Sequence, residues 1–178
     1  MTPGVCVVDT NVIISGLIGV DPNSPPARIL DAMLDGDFIY LMSDALLSEY
    51  SSVLRRPGLV RLHGLNDAEL DRLLAELVAN AMWRAPVAAG DTPDTGDQHL
   101  WALLASHPQG YLVTGNRLLL ENPPVSVSVI SPRSFADNFL SLIIALGFTP
   151  VGATASGSCP FYSQWADLGN YIPVYTGP

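Results

Sequence analysis

Short apolar runs alternate along this chain with longer segments in which apolar residues recur every three or four positions. A short unbroken apolar run is typical of a strand buried on both faces, and the longer spacing is typical of an amphipathic helix. The predicted strands are Val5–Asp9, Phe38–Met42, Trp83–Val87, Tyr111–Thr114 and Val125–Ile130. The predicted helices are Val12–Ile18, Ala27–Asp35, Asp44–Arg55, Asp67–Ala81, Asp97–Ser106, Arg117–Glu121 and Ser134–Leu146. This alternation predicts an α/β domain with a parallel sheet of about five strands, sandwiched by helices.

Proline, glycine and small polar residues separate these elements, as expected of loops. Breakers of this kind lie at residues 21–26, at Arg56-Pro57-Gly58, at residues 90–93 and at residues 122–124. After Gly147 the periodicity is lost and glycine, proline, serine and aromatic residues dominate. We therefore expect a domain over residues 1–147 and a tail over residues 148–178. Its composition favours disorder or loose packing over contact with the domain or a neighbouring chain.

Charge and hydropathy narrow the functional classes. The net charge of −9 argues against a broad basic surface for nucleic acid. It leaves room for a nucleic-acid enzyme whose clustered acids bind divalent cations. The longest apolar stretch, residues 139–148, is too short to cross a bilayer, and the chain begins without a basic-then-apolar signal. We expect a cytoplasmic protein without a membrane span, in which Cys6 is a free core thiol.

Asp9 is the first candidate functional residue. It ends the apolar run Val5–Val8 and precedes Thr10, Asn11 and a second apolar run, which is the pattern of a buried parallel strand turning into a helix. In open α/β sheets, ligands bind at such carboxyl-end turns. Asn116 follows the predicted strand Tyr111–Thr114 in a comparable position, where an asparagine is also a good helix N-cap.

Two further acids lie on predicted helices. Glu49 falls just outside the apolar stripe of its helix, although an ordinary boundary glutamate is an equal alternative. Asp97 shares a face with Leu100, Trp101 and Leu104, so its carboxylate continues an apolar stripe. Such a carboxylate needs a partner or a metal, unless it serves only the helix dipole. Acids gathered at one edge of a parallel sheet would bind Mg²⁺ or Mn²⁺ and support phosphodiester hydrolysis.

Short motifs in order along the chain resemble those of a PIN domain, in particular those of toxin-like prokaryotic PIN proteins. They are Val7-Val8-Asp9-Thr10-Asn11-Val12, Leu41-Met42-Ser43 with Leu46-Leu47-Ser48-Glu49, Asp94-Thr95-Gly96-Asp97, Leu112-Val113-Thr114-Gly115-Asn116 and Ser131-Pro132-Arg133-Ser134-Phe135. The resemblance implies a Mg²⁺- or Mn²⁺-dependent endoribonuclease acting on single-stranded RNA. It also implies a toxin that an antitoxin protein neutralises.

The resemblance also implies roles for particular residues. Asp9, Glu49 and Asp97 would bind the metal, with Asp94 as an auxiliary ligand and Asn116 beside them in the catalytic set. Asn11 and Thr114 would orient these groups. The family usually has Asp where this chain has Asn116, which removes one negative charge and keeps an acceptor oxygen. The alternative function is therefore a catalytically weak PIN fold that binds RNA or a protein.

The remaining candidates are weaker. Arg55, Arg56 and Arg117 could contact RNA phosphates, although solvated arginines are the more ordinary interpretation. The three histidines lack ligand spacing and are predicted to lie at the surface or its boundary. The leucine stripe of helix 67–81 is either core packing or a surface for a homodimer. An aspartyl-phosphate phosphatase is disfavoured, because Asn11 stands where that chemistry needs a second acid.

Overall fold

The computed structural model describes residues 5–86, 98–123 and 127–141. Its strands are β1 (Cys6–Val8), β2 (Leu41–Met42), β3 (Met82–Trp83), β4 (Tyr111–Val113) and β5 (Ser128–Ile130). Its helices are α1 (Thr10–Ile18), α2 (Pro25–Asp35), α3 (Asp44–Leu54), α4 (Pro57–His63), α5 (Asp67–Asn80), α6 (Gln98–Ala105), α7 (Arg117–Glu121) and α8 (Pro132–Phe135). The predicted α/β class with parallel strands flanked by helices is confirmed, and each strand is shorter than predicted.

The strands form two parallel ladders rather than one sheet of about five strands. The larger ladder has the order β1-β4-β5, with Val7 opposite Leu112 and Leu112 opposite Val129. The smaller ladder pairs β2 with β3. A parallel bridge between Cys6 and Tyr40 connects the two. The expectation of a single continuous sheet was therefore wrong.

A tyrosine on α3 bonds the end of β1 beside the break between the ladders. The backbone N–H of Cys6 donates to the Ile39 carbonyl at 3.2 Å, and the Val8 carbonyl points to the same side of β1 because groups two residues apart share a side. The buried Tyr50 hydroxyl donates to that carbonyl at 2.5 Å. A side chain thus occupies the acceptor that continued pairing with β2 would use.

Helices cover the ladders and bury the apolar residues of the strands. Helix α6 packs against β1 and β4, while α1 contacts α2 and α3, and α2 contacts α5 and α8. The leucine stripe of α5 is buried at Leu70, Leu73, Leu74 and Leu77, which decides in favour of core packing over a dimer surface for these four residues. Cys6 is a buried free thiol, as predicted, and burial raises its pKa.

Helix α4 was missed because Arg56-Pro57-Gly58 was interpreted as a breaker. Proline is well suited to the first turn of a helix, where its missing N–H costs no hydrogen bond, and Pro57 begins α4 in that way. Gly64 ends the helix with φ of 69°, in the left-handed region. His63 is fully buried, so the prediction that it lies at the surface or its boundary was wrong. Its Nε2 lies 2.9 Å from the Leu54 carbonyl, and its Nδ1 accepts from the backbone N–H of Leu65 at 3.1 Å.

The end of the described chain also differs from prediction. The helix begins at Pro132, capped by the Ser131 hydroxyl, which accepts from the Ser134 N–H at 3.1 Å. After Phe135 it continues as a π-helical turn over Ala136–Leu140. The proposed boundary at residue 147 and the tail over 148–178 lie outside the described residues. Within the described ranges, no helix is long and apolar enough to cross a membrane.

Candidate active site

Asp9 lies at the turn between β1 and α1, where the sequence places it. Its backbone N–H donates to the Val113 carbonyl at 2.9 Å, which ties the turn to the end of β4. As the N-cap residue of α1, its Oδ1 accepts from the backbone N–H of Asn11 at 3.3 Å. The residue is only 8% exposed. A carboxylate is therefore buried at the carboxyl end of the central pair of strands.

Two side chains hold the other carboxylate oxygen of Asp9. The Asn11 side-chain amide and the Thr114 hydroxyl each donate to Oδ2 at 2.6 Å. Burial raises the pKa of Asp9, and the negative charge of Glu49 adds to that rise, while the bonds from Thr114 and Asn11 oppose it. The predicted orienting pair is thus in contact with Asp9, and the site contains an acid whose negative charge is poorly solvated.

The turn after β4 is bonded to the turn after β1. The Gly115 N–H donates to the Asn11 side-chain carbonyl at 2.9 Å, and the Asn116 N–H donates to the Thr114 hydroxyl at 2.9 Å. A Cβ at Gly115 would lie 3.2 Å from Asn11 Oδ1, so glycine permits this close approach. The two turns therefore form one hydrogen-bonded unit around Asp9.

Asn116 is the N-cap of α7. Its side-chain oxygen accepts from the backbone N–H of Leu118 at 3.1 Å. It stands at the same edge as Asp9 and is linked to it through Thr114. Among the described residues, its side chain makes no hydrogen bond to Asp9 or Glu49. The capping function expected from sequence is present, and a contribution to catalysis stays a prediction.

Glu49 projects from α3 toward the β1–α1 turn, and each of its carboxylate oxygens has a contact. Oε1 accepts from the hydroxyl of Thr10, the residue after Asp9, at 2.7 Å. Oε2 lies 2.5 Å from Nε2 of His99. The contact with His99 lowers the pKa of Glu49, as do the Thr10 bond and the Arg56 charge, against an opposing rise from burial. Glu49 is therefore held as an anion next to the Asp9 turn.

His99 is the site residue that the sequence did not reveal. Like the other two histidines it is predicted to lie at the surface or its boundary, and its side chain is 20% exposed. Spacing along one helix does not show the partner of His99, which lies on α3, a helix that packs against α6. The boundary position of Glu49 was the available signal that a partner lay near.

Asp97 and Asp94 lie outside the described residues, as does any contact they make. Helix α6 begins at Gln98, the next residue, and its apolar stripe of Leu100, Trp101 and Leu104 is buried as predicted. In the described ranges, no cluster of three or more His, Cys, Asp or Glu residues could hold a metal. The oxygen donors of Asp9 and Glu49 nevertheless suit Mg²⁺ or Mn²⁺, because both cations prefer carboxylate ligands.

The three candidate arginines have different surroundings. Arg55 forms an ion pair with Asp71 and donates to the Ser51 hydroxyl at 2.6 Å. Arg117 pairs with Glu121 one helical turn later, at 2.6 Å. Arg56 is exposed, and its positive charge lowers the pKa of Glu49. Arg56 is thus the arginine whose charge acts on the acidic site.

Comparison with protein families identifies the fold. A family model described as PIN domain matches residues 5–118. The chain belongs to the PIN-domain family. The matched span contains Asp9, Glu49 and the turn at Asn116, and it ends before residues 131–135. A search of curated proteins gave no match.

PIN membership carries a general functional statement. PIN domains are generally nucleases, which are hydrolases, and PIN nucleases typically use divalent metals. A nuclease-type family also points to nucleic acid as the class of binding partner. The buried acid at the β1–α1 turn therefore lies in a fold whose usual chemistry is hydrolysis of nucleic acid.

Proposed function

We propose that this PIN domain is a Mg²⁺- or Mn²⁺-dependent endoribonuclease that hydrolyses single-stranded RNA. The observation that carries the proposal is the buried Asp9 carboxylate, oriented by Asn11 and Thr114 beside a second anion, Glu49. A buried acid next to another negative charge is unfavourable without a compensating cation. A divalent cation removes that conflict.

Each residue would have a defined task. Asp9 and Glu49 would hold the ion together with Asp97, and Asp94 would assist. Asn11 and Thr114 would keep Asp9 in one orientation, because they bond the same carboxylate oxygen from two different turns. When bound, the ion supplies the charge that activates water and neutralises the scissile phosphate.

The primary test is cleavage of a single-stranded RNA in the presence of Mn²⁺. Asp9→Asn and Asp97→Asn should each reduce cleavage to background, because each removes a charged metal ligand. Asp44→Asn is the matched control, since Asp44 is an exposed acid in the first turn of α3. Cleavage that persists in both site variants and in EDTA would refute the nuclease assignment. Duplex RNA and single-stranded DNA in parallel assays test the substrate class.

Arg56 is the arginine that we assign to the RNA backbone. Arg55 and Arg117 have acidic partners, whereas the exposed Arg56 acts on Glu49. In EDTA, Arg56→Gln should weaken RNA binding measured by fluorescence anisotropy. The slope of log K against log salt should decrease in magnitude by about 0.7, which corresponds to one phosphate contact. Arg117→Gln should leave the slope unchanged, and equal slopes for both variants would contradict the assignment.

The second candidate function is a catalytically weak PIN fold that binds RNA or a protein. The asparagine cap at Asn116, where the family usually has an acid, favours it. Asn116→Asp should then increase Mn²⁺ affinity strongly in isothermal titration calorimetry. If the native chain already binds Mn²⁺ tightly and cleaves RNA, this candidate is wrong.

The biological setting stays a prediction. Resemblance to toxin-like PIN proteins supports a toxin role with an antitoxin partner, and the homodimer and cytoplasmic location are expectations from sequence. Copurification of the chain with the product of an adjacent small gene would support the toxin role. Loss of cell growth on expression, suppressed by Asp9→Asn, would support it independently.

A further inference from the structure

The carboxylate of Glu49 is held between two elements other than its own helix. Thr10, in the first turn of α1, donates to Oε1 at 2.7 Å. His99, in the first turn of α6, places Nε2 2.5 Å from Oε2. Both oxygens of the side chain are therefore engaged from different directions, and the plane of the carboxylate is set by the packing of three helices.

This arrangement leaves acceptor positions of the Glu49 carboxylate unused. An ionised carboxylate has about four acceptor positions on its two oxygens, and the Thr10 and His99 contacts use one on each oxygen. A cation bound by Glu49 would use the remaining positions. Without these two contacts, Glu49 would sample several rotamers, because its side chain is flexible and 33% exposed.

We propose that His99 is a positioning residue that orients Glu49 for metal binding through Nε2, with Thr10 holding the second oxygen. This inference rests on the proposed metal-dependent function. His99 acts through Glu49 and need not touch the ion or the RNA. Outer groups of this kind typically change metal affinity about 10- to 100-fold when they are removed.

Because His99 contacts Glu49 through Nε2, a substitution that keeps an N–H at that position should preserve metal binding, and one that does not should lose it. A glutamine side chain places an N–H close to the position of histidine Nε2, whereas an asparagine places one close to Nδ1. We therefore expect His99→Ala and His99→Asn to weaken Mn²⁺ binding about 10- to 100-fold and His99→Gln to restore most of it. The measurement is isothermal titration calorimetry of the full chain with Mn²⁺ alone. His107→Ala, in the turn after α6, is the control and should bind as the native chain does.

A double-mutant cycle tests whether His99 acts through Glu49. In a Glu49→Gln background, adding His99→Ala should cause no further loss of Mn²⁺ affinity. An equal additional loss would mean that His99 binds the metal by itself and would overturn the proposal. Equal affinity of the native chain and His99→Ala would overturn it as well, while leaving the nuclease assignment intact. Absence of Mn²⁺ binding in the native chain would refute both.

Unfolding measurements separate a loss of metal affinity from a loss of folding stability in the His99 variants. Asparagine and glutamine differ by one methylene group, so urea unfolding of His99→Asn and His99→Gln should be closely similar. If His99→Asn lost affinity only because it unfolds, its unfolding midpoint would fall with the affinity. That outcome would assign a purely structural role to His99 and refute the proposal.

Discussion

Replacing Thr114 by valine removes the hydroxyl at the centre of the site and keeps nearly the same shape. That hydroxyl donates to Asp9 Oδ2 at 2.6 Å and accepts from the Asn116 N–H at 2.9 Å and the Asn11 side-chain amide at 3.1 Å. A hydroxyl has one donor and two acceptor positions, so all three are used. Thr114 is fully buried, and water cannot take its place without a rearrangement.

The expected loss of stability follows from these contacts. A hydrogen bond to a charged group contributes about 1.5–3 kcal/mol, and a buried donor left without a partner costs about 1–3 kcal/mol. Asn116 is partly exposed, so water can replace part of the bond that its N–H loses. The Asn11 amide retains its bond to Asp9. We therefore expect Thr114→Val to lower the free energy of unfolding by about 2–4 kcal/mol.

Urea unfolding in EDTA measures this loss without a contribution from bound metal. Thr114→Ser is the matched control, because it keeps the hydroxyl and deletes one methyl group, which costs about 1 kcal/mol. The Thr114 bond also opposes the rise in the pKa of Asp9, so the valine variant should raise that pKa further. If Thr114→Val were no less stable than Thr114→Ser, the hydroxyl would contribute nothing to stability, and the proposed role of Thr114 in holding Asp9 would be wrong.

Four further predictions concern the same region. Tyr50→Phe should cost about 1–3 kcal/mol in urea unfolding, since it leaves the last carbonyl of β1 without its buried donor; an unchanged midpoint would contradict this. Because the pKa of Asp9 is raised in the folded state, protonated Asp9 stabilises the fold, and this stabilisation is lost as pH rises through the raised pKa. In EDTA, Asp9→Asn should therefore reduce the decrease in the free energy of unfolding over that pH range. The pKa of Glu49 is lowered in the folded state, so ionised Glu49 stabilises the fold, and this stabilisation is lost as pH falls through the lowered pKa. Glu49→Gln should remove the corresponding decrease in the free energy of unfolding at acid pH. Gly115→Ala places a Cβ 3.2 Å from Asn11 Oδ1 and should weaken Mn²⁺ binding about 10-fold, measured by calorimetry; unchanged affinity would mean that Asn11 adapts.

The sequence determined the features that depend on neighbouring residues. Apolar runs and helical spacing place the strands and most helices to within a few residues, because burial of one face imposes that periodicity. The cap at Asn116 was likewise readable, since a side chain that bonds an N–H two residues later needs only local geometry. The position of Asp9 at a strand-to-helix turn, and its link to the PIN family, came from the same local signals.

Contacts between distant elements were decided only by the tertiary structure. Tyr50 bonds the Val8 carbonyl, 42 residues away, beside the break between the ladders, and His99 contacts Glu49 from another helix. The burial of His63 depends on how α4 packs behind α3, which the breaker pattern at Pro57 concealed. Periodicity states which face of a helix is buried, but it does not state which face of another helix lies opposite. That pairing is set by the packing of the whole core, and at this site it determines which donors hold each acid.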